Sequence, residues 1–365
     1  MALSKLNNDS FADTAVHGRR NLVVNGAMQV AQRGDVTGIT GANVYGGADR
    51  FVTNGTAYGT VSLVQEADAP EGFAESQRVK FTTARSTTGA GDHFVIGTRF
   101  EGQDLQRFKK GTSNAESMTV SFYAKASQAT SITVELFDAD NNRHAGKEFA
   151  ITTSWARYSY TFAGDTTGAF TNDNSLSMYL FFWLGAGTTF TSGTNPDGSW
   201  LSSENARRVH SDVGTTFMDT LNAEFNLTGV QLEMGDKLTP FEHRSFNEEF
   251  HLCQRYYAVL ASGSDNSVEH IGNGYGWSAS QVEVVVNWPR EMRATPALKQ
   301  STGSNYYQWQ KDGSNIQNMN SLLTYQFSKR TGLLYQVALS SVTAMGAYRA
   351  HVNNASAYLH LDAEL

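Results

Sequence analysis

From residue 117 the chain switches between apolar and polar positions with a period of two. Ser117–Ala126 places Met118, Val120, Phe122 and Ala124 on one face, and Ser131–Phe137 does the same with Ile132, Val134 and Leu136. That spacing predicts half-buried strands. Shorter runs at Leu22–Val24, 148–151, 158–162, 175–184 and 223–232 read the same way. Turn residues separate them, among them Asn25-Gly26 and the stretch Asp138–Asn142. Regular short strands with such breaks predict an antiparallel sandwich or barrel. The pattern returns near the C-terminus. Gln281–Trp288 sets Val282, Val284 and Val286 opposite Glu283 and Val285, and Pro289 ends it. Runs at 322–327, 332–339, 348–352 and 357–361 complete a second β region.

Three stretches break the rhythm. Residues 1–20 have no hydrophobic period and are interrupted by Asn7, Asn8, Asp9, Asp13 and Gly18, so they read as an arm. Its apolar positions Leu3, Leu6, Phe11 and Val16 are expected to order only against a partner surface. Between Leu184 and Leu221 lie 36 residues rich in Gly, Ser, Thr and Asn, a length typical of functional or contact-making connections. Residues 245–257 carry a helix signature, with Ser245 as N-cap and Glu248 completing a capping box. Phe246, Phe250 and Cys253 share one face of that helix, with Tyr257 continuing it; Phe241, Leu252 and Tyr256 are left for another surface. The expected organisation is an arm (1–20), a β domain (21–240), a junction helix (241–257) and a C-terminal β domain (258–365).

Composition narrows the classes. At 365 residues the chain has room for two domains with sizeable cores. Charged residues make up 17% and aromatics 12%, with 33 glycines and 5 prolines, which excludes disorder and coiled coil. The net charge is −7 and no Lys/Arg run exceeds two residues, so no duplex nucleic-acid partner is expected. A single cysteine, Cys253, rules out an intrachain disulfide and a cysteine zinc site. The N-terminus lacks the apolar stretch of a signal peptide, and the longest apolar run, Leu180–Leu184, is too short to span a bilayer. The expectation is a soluble chain made in a cytosol, with no membrane insertion.

Two stretches carry a resemblance. The first is Asn21-Leu-Val-Val-Asn-Gly-Ala-Met-Gln-Val-Ala-Gln-Arg-Gly34 with Gly47-Ala-Asp-Arg-Phe51; the second is Leu227–Gly235 with Thr239-Pro-Phe-Glu-His-Arg-Ser-Phe-Asn-Glu-Glu-Phe-His-Leu-Cys-Gln-Arg-Tyr-Tyr257. Together they resemble bacteriophage tail fibre or tail structural proteins of the marine and cyanobacterial phage type, over residues 1–257. Residues 21–236 also resemble the jelly-roll carbohydrate-binding modules, through Leu22–Gly26 and Trp155–Phe162. The module resemblance implies a jelly-roll β-sandwich over residues 21–236; with the residue pattern, the expected fold is all-β: that sandwich, a short junction helix and a second, smaller antiparallel β domain. It implies a non-enzymatic virion protein, most simply a homotrimeric tail fibre attached to other virion proteins through its arm and contacting a host surface glycan or receptor. A head fibre or capsid decoration protein, and a phage polysaccharide depolymerase, are the alternatives. Many such modules hold a structural calcium through acidic residues in the last strand; the matching stretch Phe225–Leu232 carries none, so no metal is expected.

Other candidate chemistry is sparse. Asp138-Ala-Asp-Asn-Asn142 begins like a calcium loop, but Arg143 and Phe149 stand where Gly and Glu are needed, so it reads as a turn. His243 and His251 are eight apart, not the four of a helical metal pair. Gly272–Gly276 lacks the strand and helix of a phosphate loop and reads as a turn. Glu233 with Asp236, or Asp138 with Asp140, would be the pairs for glycoside hydrolysis. Cys253 lies on the helix's apolar face and reads as a small buried hydrophobe. The aromatics Trp200, Tyr275, Trp277, Tyr306, Tyr307 and Trp309 fall in polar, turn-rich stretches, the last five within 262–280 and 301–320 with Asn273 and Asn315. Such rings either pack in a core or subunit interface, or stack on sugar faces. The second reading makes them glycan contacts for a neutral ligand. No cofactor is expected.

Overall fold

The alternating stretches form strands. The computed structural model describes residues 19–85, 89–214, 216–264, 268–311 and 316–365; the arm positions Leu3, Leu6, Phe11 and Val16, and Asn315, lie outside the described residues. The chain divides into two units, one of Met1–Glu249 with Leu365, the other of Phe250–Glu364.

The first unit contains β1 (Val36–Ile39), β2 (Val44–Tyr45), β3 (Val52–Thr56), β4 (Thr60–Glu66), β5 (Ser76–Thr83), β6 (His93–Glu101), β7 (Met118–Ala126), β8 (Thr130–Asp138), β9 (Arg143–Ile151), β10 (Ala156–Phe162), β11 (Leu176–Ala186), β12 (Leu201–Ser202) and β13 (Glu224–Met234). One sheet runs β1-β4-β5-β13-β7-β10 and the other β12-β9-β8-β11-β6-β3-β2, with antiparallel pairing throughout. This is a jelly-roll β-sandwich. Its core is built from the inward alternate residues of both sheets: Val120, Phe122, Val79, Phe81 and Leu227 meet Val134, Leu136, Ile96, Leu180 and Phe182. Phe122 sits at the centre, with Phe182 at 5.0 Å and Phe149 at 5.2 Å between ring centroids. Burying a ring of this size contributes about 1.5–3 kcal/mol.

The connection between Leu184 and Leu221 is not an open loop. It folds into α1 (Thr188–Thr191), 3-10 turns at Asn205–Arg207 and Ser211–Val213, and α2 (Thr216–Asp219). Phe181 and Trp183 point away from the sandwich core because β11 alternates. Phe190, Val209 and Val213 from the connection bury them together with Val95. The length thus covers an apolar outer sheet face.

Next comes α3 (Phe246–Cys253), shorter than the 245–257 its periodicity predicts. Ser245 caps it as expected, its Oγ accepting the Glu248 N–H at 3.3 Å. The helix stops because Tyr257 pairs with Asp362 and begins a strand. The face is also corrected: Cys253 is fully buried, but Phe246 is 57% exposed and Glu249 is buried in its place.

The second unit contains β14 (Tyr257–Ser262), β15 (His270–Ser278), β16 (Gln281–Asn287), β17 (Ala297–Gln300), β18 (Tyr307–Gln310), β19 (Ile316–Met319), β20 (Leu323–Tyr325), β21 (Thr331–Gln336), β22 (Ala347–Val352) and β23 (Tyr358–Asp362). A three-stranded sheet, β14-β23-β17, accompanies a seven-stranded one, β19-β18-β22-β15-β16-β21-β20. Val282, Val284, Trp309, Tyr307, Leu334, Tyr348 and Leu361 form the core. Within the stretches 262–280 and 301–320, residues 270–278, 307–310 and 316–319 are strand. Gly272–Gly276 lies within β15, not in a turn. Its glycines are needed for close approach: a Cβ on Gly274 would sit 2.0 Å from the Glu283 carbonyl oxygen.

Candidate functional site

Two hairpins of the seven-stranded sheet build an open groove. On β16, Val282, Val284 and Val286 point into the core, so Gln281, Glu283 and Val285 stand on the outer face. Strand pairing then fixes their neighbours. Tyr275 and Tyr335 lie directly opposite Glu283, and Leu323 lies opposite Tyr335. In the next row Leu333 faces both Val285 and Tyr325. A bulge in β15 between Gly276 and Ser278 turns Trp277 out at the rim.

The groove is lined by Tyr275, Trp277, Gln281, Glu283, Tyr325, Gln326, Leu333 and Tyr335, with a volume of about 550 Å³. That volume is in the usual range for a ligand pocket. Trp277 is 60% exposed and Tyr325 58% exposed, while Tyr275 and Tyr335 are half-buried. The Tyr275 and Trp277 ring centroids are 6.4 Å apart at 56°. Glu283 forms the floor and is 5% exposed. The Tyr275 hydroxyl donates to its carboxylate, and that bond holds the phenol above its ordinary pKa. Exposed rings offer flat apolar faces, the two Gln amides and the phenol hydroxyls offer hydrogen bonds, and Glu283 offers an acceptor.

Of the six rings read as glycan contacts, the structure brings two, Tyr275 and Trp277, to this groove. The others are corrected. Tyr307 and Trp309 are fully buried, because β18 alternates and both point inward. The Tyr307 hydroxyl donates to Tyr358 O at 2.7 Å, and burial pushes its pKa up. Tyr306 is half-buried against the same core. Trp200 is 9% exposed; its Nε1 donates to Ala163 O at 3.0 Å and Lys110 Nζ lies 5.3 Å from its ring. Sequence reasoning missed Tyr325, Tyr335, Leu333, Gln281, Gln326 and Glu283. The outward placement of Glu283 is legible in the β16 alternation; its partners come from strands far apart in sequence.

The first unit has polar groups in quantity, but they are committed to structure. Lys110 Nζ donates to Asp138 Oδ2 at 2.5 Å and lies 3.0 Å from Asp165, all three buried, and Arg143 completes the set on Asp165 at 2.7 Å. Asp138 also accepts the Asn141 N–H at 3.1 Å, so Asp138–Asn142 is a turn locked onto a buried lysine. Glu135 accepts two bonds from Arg208 and one from Trp183 Nε1, each at 2.8 Å. Burial pushes this carboxyl up, but Arg208 and His144 outweigh it and hold the pKa at about 2. Glu233 accepts from the Thr239 N–H and hydroxyl, which fastens the segment after β13.

The two recognisable sequence stretches meet. Asn21 donates to Val230 O at 3.1 Å and accepts from the Val23 and Leu232 N–H groups. Glu242 accepts the N–H groups of Arg19 and Asn21. Arg244 donates to the Asn21 and Val23 carbonyls and to Glu249, which also accepts the Asn25 N–H at 2.5 Å. Burial pushes the Glu249 pKa up. These residues clamp the segment entering the sandwich onto its last strand. His243 packs against Phe73, tilted, and Phe241, edge-to-face, with ring centroids at 5.0 and 4.8 Å, and burial lowers its pKa. Of the residues read as junction or oligomer contacts, Tyr256 and Tyr257 are buried, Phe241, Phe250 and Leu252 half-buried, and Phe246 exposed. Among the described residues one group is within metal-ligand reach, Glu148, His210 and Asp212. There His210 Nδ1 lies 3.1 Å from Glu148 and accepts the Asp212 N–H at 3.4 Å.

No family model matches the chain, and no curated protein matches it. Solved structures similar to it include the enzymatically active domain of tailspike protein 4 from bacteriophage CBA120, at 11% identity and a TM-score of 0.31, covering 59% of this chain and 21% of that one. The chain thus spans about a fifth of that tailspike. A family 4 carbohydrate-binding module is similar at 11% identity and a TM-score of 0.30, covering 57% of this chain and 97% of the module. A family 61 module solved with β-1,4-galactotriose is similar at 10% identity and 0.29, covering 59% and 99%. Likenesses of this size transfer neither ligand nor activity.

Proposed function

We propose that the chain is a non-enzymatic virion structural protein of a phage, a homotrimeric tail fibre in which the second unit's aromatic groove contacts a host surface glycan. The observation that carries the glycan part is the groove itself: four rings, two of them more than half exposed, around polar groups on a rigid sheet. Soluble proteins seldom leave such rings open without a ligand or partner. The phage part is supported by the residues 21–51 and 227–257, which resemble tail structural proteins and here act as a structural clamp. A binding role is favoured over hydrolysis because the lining has one carboxylate, Glu283, where two-carboxylate chemistry needs a pair.

The test is adsorption of purified protein to host envelope polysaccharide, with Trp277→Ala as control. Binding that drops about ten-fold in the variant, with no sugar release, is the expected result. Sugar release would favour the depolymerase, and unchanged adsorption would move host contact elsewhere. Labelled antibody on intact particles distinguishes tail from head, and light scattering checks the trimer.

A further inference from the structure

The groove floor is a carboxyl group with no basic side chain in the lining around it. Glu283 is 5% exposed, and its lining neighbours are aromatic, aliphatic or amide; no lysine, arginine or histidine is among them. It accepts from the Tyr275 hydroxyl, a neutral donor. Burying a carboxylate away from water is costly unless a cation or several donors meet it. Of the buried carboxylates described above, Asp138, Asp165, Glu135 and Glu249 each have a lysine or arginine in contact, while Glu233 is met by three neutral donor groups, from Thr239 and Gln231. Glu283 has neither a basic neighbour nor several donors in the groove lining, and it lies beneath the exposed rings of Trp277 and Tyr325.

The surrounding rings point to the same kind of ligand. An ammonium group is attracted to the faces of Trp and Tyr, and the attraction grows as water is excluded. A carboxylate beneath such rings adds charge complementarity and a hydrogen-bond acceptor. A uronate, sialate or phosphate placed there would meet Glu283 with like charge and find no basic side chain.

We propose, resting on the glycan-binding reading, that the groove selects a polysaccharide carrying free amino groups, its sugar rings stacking on Trp277 and Tyr325 and an ammonium reaching Glu283 between Tyr275 and Tyr335. This replaces the neutral ligand expected from sequence, which took no account of Glu283.

Titration calorimetry of the full chain with three probes tests it: glucosamine oligomers, the same oligomers N-acetylated, and galacturonate oligomers. The glucosamine oligomer is expected to bind at least ten-fold tighter than its acetylated form, and galacturonate weakest. Glu283→Gln, which keeps the shape and an acceptor oxygen, should bring the affinities of the amine and acetylated oligomers to within about two-fold of each other. Trp277→Ala should weaken both by about ten-fold. Equal binding of amine and acetylated forms, or a preference for galacturonate, overturns the amine selectivity and leaves the glycan reading standing. If none of the three binds, the glycan reading falls and this one with it. The wild-type comparison decides the matter even if Glu283→Gln does not fold.

Discussion

The ion-paired carboxylates of the sandwich contrast with Glu283 of the smaller unit. In the sandwich, Lys110 sits among Asp138 and Asp165, and Glu135 is gripped by Arg208 and Trp183. Its outward apolar residues Phe181 and Trp183 are roofed by the 36-residue connection. In the smaller unit, Glu283 has a phenol for company and its neighbouring rings are open. The region with the recognisable sequence carries most of the ionic contacts described, and the exposed rings of the groove belong to the other.

The sharpest break of the contrast is Lys110→Ala. It leaves two buried aspartates without their lysine and should cost about 3–5 kcal/mol, read by urea unfolding. Binding to the groove below the transition should be unchanged. A loss under about 1 kcal/mol would mean the sandwich's charges are no more committed than Glu283. Trp309→Ala should cost a similar 3–5 kcal/mol, since it empties the second unit's core.

Acid sharpens the contrast next. Glu135 has a folded pKa of about 2 against an ordinary 4.5, so its contribution is complete above 4.5 and lost as the pH falls through 2. The shift corresponds to a loss on the order of 3 kcal/mol between those limits. Unfolding measured across that window should show the decline, and Glu135→Gln should flatten it. Glu249 runs the other way. Its raised pKa means the native state holds the proton more tightly, so its contribution is present below the unfolded pKa and lost as pH rises through the folded one. Glu249→Gln should therefore reduce the decline in stability on the neutral side of that window.

The smallest expected stability change is at Trp277. With 60% of it exposed, Trp277→Ala should move stability by under about 0.5 kcal/mol. The same change should cost about 1–3 kcal/mol of glycan binding. A large stability loss would make the ring structural and remove the distinction between the units.

Much of the sandwich was legible because period-two alternation depends only on which face is buried: Met118–Ala126 and Thr130–Asp138 emerge as strands where the pattern put them. Ser245 and Glu248 likewise announced the helix start. Its end was not legible, since Tyr257 continues the helical spacing yet is drawn into β14 by pairing with Asp362. Tyr307 and Trp309 were misplaced because surrounding Gly, Ser and Asn outweighed the four-residue alternation Tyr-Gln-Trp-Gln. The groove was half legible. Tyr275 and Trp277 stood out as rings, but Tyr335 and Tyr325 join them through register across β16 and β21, and no local pattern encodes which strands become neighbours.

The exposure of Trp277 has a spectroscopic consequence. The chain has six tryptophans. Trp183, Trp200, Trp288 and Trp309 are buried and Trp155 is half-buried, so the ring at the groove's rim dominates the water-relaxed, long-wavelength edge of the emission. A soluble quencher such as iodide should reach that component first, and a ligand seated on the ring should shield it and shift the remaining light to the blue. The protein therefore carries its own optical reporter of groove occupancy, with no label attached.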